Sequence, residues 1–458
     1  MTASKLLTAI LVAVSFFGPM RGSAEPSRYL LIENVNLVDV TGDGLVPHMS
    51  VLIRDDVIAE VAAAGSIRAP LQAQRMDGAG RFLLPGLIDT HVHPGWHLDG
   101  QARIGADAAL ASLYLSRGVT GVRDASIQGQ ERQALQARRD AESGARVLPR
   151  IHVAGRVDQS NLAKHQVQDV RELTRILTDM GVDSFKIRNG LTMTDIAVAA
   201  EMARDLDKPV WGHTYADLHD YSSAALRAGV SGITHVLGIN PMGGSKRPEP
   251  APPLEEWEAA WVYGATQWLH EDERVTNALI DLMVERGAWL EPTLVTEHFV
   301  INPDLYRDHD NNAWLTIDYE NTRLGFPQLE GKDLEDYRAA FTRMQAFVRR
   351  FYEAGGWLLA GTDNLPWQGA GLHMELQLLV DAGIPPLGAL QAATINAAKA
   401  LGWEDIGAIE PGMQADLVLL DANPLADIKN TSSIHAVITR GRLLSRPQLD
   451  AMLATAAD

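Results

Sequence analysis

The chain has 458 residues, 46% hydrophobic and 21% charged, enough for a large barrel with a smaller second domain and unlike a fibrous or disordered composition. A formal net charge of -18, with no basic cluster dense enough to offset it locally, argues against nucleic acid and membrane surfaces as partners. Cysteine is absent, which excludes disulfides, thiolate metal ligands, a cysteine nucleophile and a lipidated cysteine.

The N-terminus begins MTASKLLTAILVAVSFFGPMRGSAEPS. Lys5 precedes an apolar run from Leu6 to Gly18, and Gly22-Ser23-Ala24 gives a small-x-small cleavage pattern. This predicts a secretory signal over 1–24, cut after Ala24, and an exported protein, periplasmic or extracellular. The competing reading is a membrane anchor, for which the run is too short. Over 25–84, β-type runs alternate with Gly and Asp turn signals and no helix-length segment appears. Residues 406–458 behave alike: ADLVLLDANP and IHAVITRGRLL read as strands, followed by an Ala-rich tail that looks helical. Neither end has strands enough for a stable sheet alone, so the two are expected to pair into one small β-sandwich domain.

That leaves 85–405 as an inserted domain. Its candidate strands are RFLLPGLIDTHVH, GVTGVRDA, RVLPRIHVAG, VDSFKIR, KPVWGHT, SGITHV, GAWLEPTL and GWLLAGTD, with helical segments such as ADAALASLYLSRG and PLGALQAATINAAKALG between strands or after them. The fold class expected is α/β, a (β/α)8 TIM barrel with its site at the C-terminal strand ends. A doubly wound open sheet competes, but no GxGxxG or GxxxxGK opens a helix. Two connections exceed what a barrel needs, Gly238 to Glu273 and Glu297 to about Leu334, and are expected to cover the site.

The titratable residues near the strand ends carry the chemistry. His91 and His93 end the first strand and, two apart, point to the same side. Two adjacent imidazoles suit zinc or a similar divalent ion; the bland alternative is a hydrogen-bonded pair without metal. His213 and His235 end the fifth and sixth strands, where a lone histidine would more often be a satisfied core residue. Lys186 lies inside the apolar fourth strand, and lysine is almost never buried unpaired. Desolvation would leave its amine neutral and able to add carbon dioxide, giving an anionic carbamate that can bridge two metals; snorkelling to solvent is the alternative. Asp363, ending LLAGTD, can bind a metal and accept a proton from water, or simply cap a helix. A barrel would gather all six at one mouth.

These residues resemble the amidohydrolase superfamily, in particular exported members related to Xaa-Pro dipeptidases (prolidases) and imidazolonepropionase-like hydrolases. LPGLIDTHVH, GVTGVRDA, the lysine strand, the two single histidines, LLAGTD, HMELQLLVDAG and AATINAAKALGWEDIGAIEPGMQADLVLLDANPL stand in that family's order over nearly the whole mature chain. The resemblance implies two divalent ions, zinc expected, with His91 and His93 on one, His213 and His235 on the other, carboxylated Lys186 as the bridge and Asp363 as ligand and proton shuttle. The bridging lysine favours the dipeptidase-like branch over mononuclear imidazolonepropionases. In that branch a tyrosine soon after the fifth-strand histidine is associated with the substrate carboxylate, a slot Tyr215 occupies; Tyr221 is a candidate by proximity and His373 resembles a second-layer position.

Two departures stand out. The third strand ends in HVAGRVDQSN where many relatives have a glycine- and histidine-rich segment, and His97 adds an HxHxxxH pattern the core motif does not require. Arg156 and His97 are therefore candidate substrate contacts, with exposed loop residues as the alternative. The implied reaction is hydrolysis of an amide in a dipeptide or N-acyl amino acid. Lactones, esters, phosphotriesters, a deaminase or cyclic-ureide substrate, and a non-catalytic binding protein remain open, as does a homo-oligomer.

Overall fold

The computed structural model describes residues 27–42, 44–94, 113–125, 131–188, 190–214, 221–242, 257–306, 327–363 and 369–457. The expected signal segment, 1–24, lies outside them, and no helix among the described residues is long and apolar enough to cross a membrane.

The chain opens with β1 (Tyr29–Asp39), β2 (Gly44–Arg54), β3 (Val57–Ala63), β4 (Gln74–Asp77) and β5 (Phe82–Pro85). Asp39 stops β1 by accepting from the backbone N–H groups of Thr41 (2.9 Å) and Gly42 (3.0 Å), a local bond that competes with the ladder. Asp55, at φ 59°, makes the tight turn between β2 and β3, a conformation aspartate tolerates.

The central strands follow: β6 (Leu87–Val92), β7 (Val119–Asp124), β8 (Arg150–Val157), β9 (Ser184–Ile187), β10 (Val210–Gly212), β11 (Gly232–Thr234), β12 (Trp289–Glu291) and β13 (Trp357–Leu358). Seven lie within the segments read from the sequence, and β8 runs two residues past its own, to Val157. They form one parallel sheet in the order β13 back to β6. Phe185 and Ile187 on β9 join Leu177, Val182 and Ile196 in an apolar layer with the flanking helices Val170–Met180 and Met193–Asp205. Lys186, between them, faces the opposite way, as the pleat requires. Those helices start where the sequence provides caps: Asp169 accepts from Arg171 N–H, and Thr192 with Asp195 forms a capping box.

Neighbouring strands approach closely at two glycines. A Cβ on Gly212 would lie 2.1 Å from the Ile187 carbonyl oxygen, and one on Gly232 would lie 2.2 Å from the Trp289 ring. Between the outer strands β6 and β13 no ladder forms among the described residues, yet the sheet curls until their ends bond. Thr90 N–H donates to Ala360 O (3.0 Å), and Asp363 N–H to His91 O (2.9 Å). GWLLAGTD thus contributes a two-residue strand; its last residues leave that ladder to bond the β6 edge.

The remaining strands are β14 (Leu417–Leu420), β15 (Ile434–Thr439) and β16 (Arg442–Ser445), followed by the helix Arg446–Ala457. The two chain ends do pair. Their order is β16-β15-β14-β5-β1-β2-β3, with β4 beside β1, mostly antiparallel. Hydrogen bonds join these strands into one eight-stranded sheet with a core of its own, including Ile32, Val51, Leu83, Leu417 and Ile438. Alternation along β1, β5 and β14 predicts inward faces but not whether they meet across two sheets or within one.

The two sheets are joined by Gly86 N–H to Asp416 O (2.8 Å), by the Arg150–Asp416 ion pair, and by His373, whose Nδ1 pairs with Thr431 Oγ1 and whose Nε2 pairs with Arg117 O, both at 2.9 Å. His373 therefore serves this joint. Of the long connections, the helices Trp257–Thr266 and Leu294–Ile301 are described, while 243–256 and 307–326 lie outside the described residues.

Candidate metal centre

Six side chains meet at the C-terminal end of the parallel sheet. His91 Nε2 lies 3.3 Å from His93 Nε2, 3.2 Å from Asp363 Oδ1 and 2.5 Å from Lys186 Nζ. His93 Nε2 lies 3.0 Å from Asp363 Oδ1, and His235 Nε2 lies 3.7 Å from Asp363 Oδ2. The rings of His91 and His235 are centred 5.0 Å apart, and those of His213 and His235 4.8 Å apart. The histidines and Lys186 are buried; the Asp363 side chain keeps 21% exposure, the open side of the cluster. The structure thus brings together all six residues that the strand-end reading selected.

Local backbone aims two of them. His235 (φ 66°) and Asp363 (φ 54°) adopt left-handed conformations, each costing of the order of 1–3 kcal/mol for a residue other than glycine. The cost is offset by fixed bonds: His235 N–H donates to Glu291 O (2.8 Å) and Asp363 N–H to His91 O. Asp89 adds a further clamp, its carboxylate accepting from His91 N–H, Thr362 N–H and Thr362 Oγ1–H at 2.8–3.1 Å. Burial pushes the Asp89 carboxyl up to about 8 despite these bonds.

Two imidazole tautomers follow from their partners. Glu291 is held down at about 2: burial opposes its ionisation, but His91 and Arg123 outweigh it. Its carboxylate can only accept, so His91 Nδ1–H donates to Glu291 Oε2 (2.9 Å) and Nε2 presents a lone pair. Thr293 Oγ1 donates to Pro292 O, so it accepts from His235 Nδ1–H (2.6 Å), again leaving Nε2 free. Burial, the dominant cause, also favours neutral rings at His93, His213 and His235.

Burial, then the nearby Arg188 guanidinium, lowers the Lys186 amine well below its ordinary range. Burial resists ionisation of Asp363, but His91 and His235, with hydrogen bonds from His91 and His93, hold its carboxyl well below the usual value. His91 Nε2 and Asp363 Oδ1 lie 3.2 Å apart; a proton on Nε2 holds them together without a metal, and a cation in its place would be bound by the lone pair that His91 keeps once Nδ1–H is given to Glu291. His91, His93 and Asp363 offer ligand atoms that all lie within 4.8 Å of one another. Nitrogen donors with one carboxylate suit zinc and similar divalent ions.

Of the expected substrate contacts, His97 and Tyr215 lie outside the described residues. Tyr221 begins the helix Tyr221–Ala228, and nothing is described of its side chain. Arg156 ends β8, but its Nε pairs with Asp158 and its terminal nitrogen with Ser160 Oγ (3.2 Å), holding the turn into the next helix. The strand-end reading missed Glu291 and Arg188. Both stand at strand ends in the sequence, Glu291 in GAWLEPTL and Arg188 in VDSFKIR, and were open to the same rule that found the ligands.

Residues 82–444 match the amidohydrolase family. Adenine deaminase 2 of Desulfotalea psychrophila is 49% identical over 51 residues, covering 11% of this chain and 9% of that protein, so the match spans only a small part of its length. A dihydroorotase of Syntrophotalea carbinolica is 24% identical over 445 residues, covering 90% of this chain and 93% of that one. Among solved structures, an Xaa-Pro dipeptidase with methionine bound in its active site superposes with a TM-score of 0.65 at 22% identity, over 91% of this chain and 100% of that one. With a family match over most of its length and six site residues gathered at the sheet's C-terminal end, the chain belongs to the amidohydrolase family.

Proposed function

We propose that this protein hydrolyses an amide bond in dipeptides, Xaa-Pro or other, or in N-acyl amino acids. The central sheet is read as a (β/α)8 barrel holding two divalent ions, zinc expected. His91 and His93 would hold one ion and His213 and His235 the other, with carboxylated Lys186 and Asp363 as further ligands. The observation that carries this reading is Lys186: a buried amine of lowered basicity, 2.5 Å from His91 Nε2, where a charged lysine has no ordinary structural use. Its neutral form adds carbon dioxide, R–NH2 + CO2 giving R–NH–COO⁻ + H⁺, and supplies an anionic oxygen donor.

When bound, the metal pair supplies Lewis acidity, making water a nucleophile near neutral pH and polarising the scissile carbonyl. The chain's own residues do the rest. Glu291 and Thr293 fix the ring orientations of His91 and His235, and Asp363 holds and moves the proton. It is ionised beside its histidine neighbours, so Oδ1 or Oδ2 can accept a proton. It then passes that proton to the departing amine, a poor leaving group otherwise. The open side at Asp363 is where substrate enters. The apolar N-terminal segment supports export of the mature protein from Glu25 onward, which suits the scavenging of external peptides.

The test is to incubate zinc-loaded mature protein with pooled dipeptides and N-acyl amino acids and follow losses by mass spectrometry. Chelator-sensitive loss of a related set, with acid and amine appearing together, is expected. No loss from the pool with two metals bound would overturn the amide reading. The long dihydroorotase match favours a cyclic amide as second reading; cyclic amides belong in the pool, and ammonia release would indicate deamination instead.

A further inference from the structure

The mouth of the parallel sheet carries a guanidinium that neither the metal ligands nor the fold uses. Along β9 the side chains alternate: Phe185 and Ile187 point outward among Leu177, Val182 and Ile196, and Lys186 points inward to His91. Arg188 is the next residue on the inward face, one pleat nearer the opening. Its backbone is held in line, since Arg188 N–H donates to Val157 O (3.2 Å) at the end of β8 and His213 N–H to Ile187 O (3.1 Å) from β10. Arg188 therefore stands between the ends of β8 and β10, beside the fourth- and fifth-strand ligands. It is half-buried, and its guanidinium has no hydrogen-bond or ion-pair partner among the described residues, whereas the neighbouring Arg156 is committed to Asp158 and Ser160.

Guanidinium in such a place is costly to leave without an anion. It presents a rigid fork of donors matched to a carboxylate, and its charge acts on both Lys186 and His213, beside which the β9 backbone places it. In a chain of net charge -18, a free cation at the mouth also distinguishes the site from the surrounding surface. We infer that Arg188 binds the free carboxylate of the substrate's amine half, so that the site selects dipeptides and N-acyl amino acids over neutral amides, esters and lactones. This rests on the reading of the centre as an amide hydrolase, and it names a residue and a substrate charge for it.

The experiment has two arms, each comparing wild type with Arg188→Ala and Arg188→Lys. In the first, kcat/KM is measured for matched substrates ending in a free carboxylate or a carboxamide. In the second, calorimetry measures binding of free amino acids and their carboxamides to zinc-loaded protein, with metal content counted throughout. Wild type is expected to favour the carboxylate in both arms, by about 10- to 100-fold in turnover. Arg188→Ala should collapse that preference through KM with two metals retained, and Arg188→Lys should restore part of it. Wild type without a carboxylate preference, or Arg188→Ala with its preference intact, would overturn the inference even if amides are cleaved. Should no amide be cleaved while carboxylate binding still depends on Arg188, the inference stands and the amide reading falls.

Discussion

Glu291 offers the most direct perturbation of the centre without touching a ligand. It is fully buried, accepts from His91 Nδ1–H at 2.9 Å and Thr234 Oγ1–H at 2.8 Å, and is ionised. Glu291→Gln keeps the volume and one carbonyl oxygen but removes the charge. A charge-assisted bond contributes about 1.5–3 kcal/mol and a neutral one about 0.5–1.5, so the His91 Nε2 lone pair should lose about 1–2 kcal/mol of support, or about 5- to 30-fold in metal affinity. Competition with a fluorescent zinc chelator measures this, and thermal unfolding of the metal-free variant checks that the fold survives. Thr234→Val removes only a neutral donor from the same carboxylate and should weaken the metal less. Affinities within twofold of wild type for a folded Glu291→Gln would refute the claim that Glu291 sets the tautomer and strength of His91.

Other outcomes follow from the same geometry. Asp363→Asn should keep most of the metal while lowering kcat by about 10²- to 10⁴-fold, the span of a lost acid–base group; near-normal turnover in that variant would remove the residue from proton transfer. Lys186→Ala should take the metal content from two ions toward one or none, and added bicarbonate should raise metal uptake in wild type alone, both readable by elemental analysis. Glu297 gives a pH signature. Burial raises its carboxyl to about 7, against hydrogen bonds from Tyr337, Thr296 and Trp261. The native state thus holds a proton that the unfolded chain releases near 4.5, and the associated stability, present below that pH, is lost as pH rises through 7. Relative to Glu297→Gln, wild type should lose about 3 kcal/mol between those values, which denaturant titrations at pH 4.5 and 8 would detect.

The strand ends were legible because two rules act together there: alternation fixes which way a side chain points, and a polar residue closing an apolar run has few structural reasons to be there. His91, His93, Lys186, His213, His235 and Asp363 all obey both, and the structure gathers them. Glu291 was equally visible as the end of a strand, yet its importance depends on where its carboxylate meets His91, 200 residues away, and spacing says nothing of that. Arg156 also stands near a strand end, and there spacing does not tell that Asp158, two residues away, pairs with it locally. His373 lies in a recognisable segment and still serves a different neighbour, Thr431, because the terminal sheet packs against its helix. That sheet shows the limit most clearly, since inward and outward faces can be read from period two while the number of sheets they build cannot.

Metal stoichiometry and turnover measured in one preparation bear most directly on the reading of the site. Two ions per chain are expected, with amide hydrolysis that vanishes on chelation and returns when zinc is restored, each in proportion to the other. Full turnover with one ion or none, or turnover indifferent to the chelator, would contradict a two-metal centre built on Lys186.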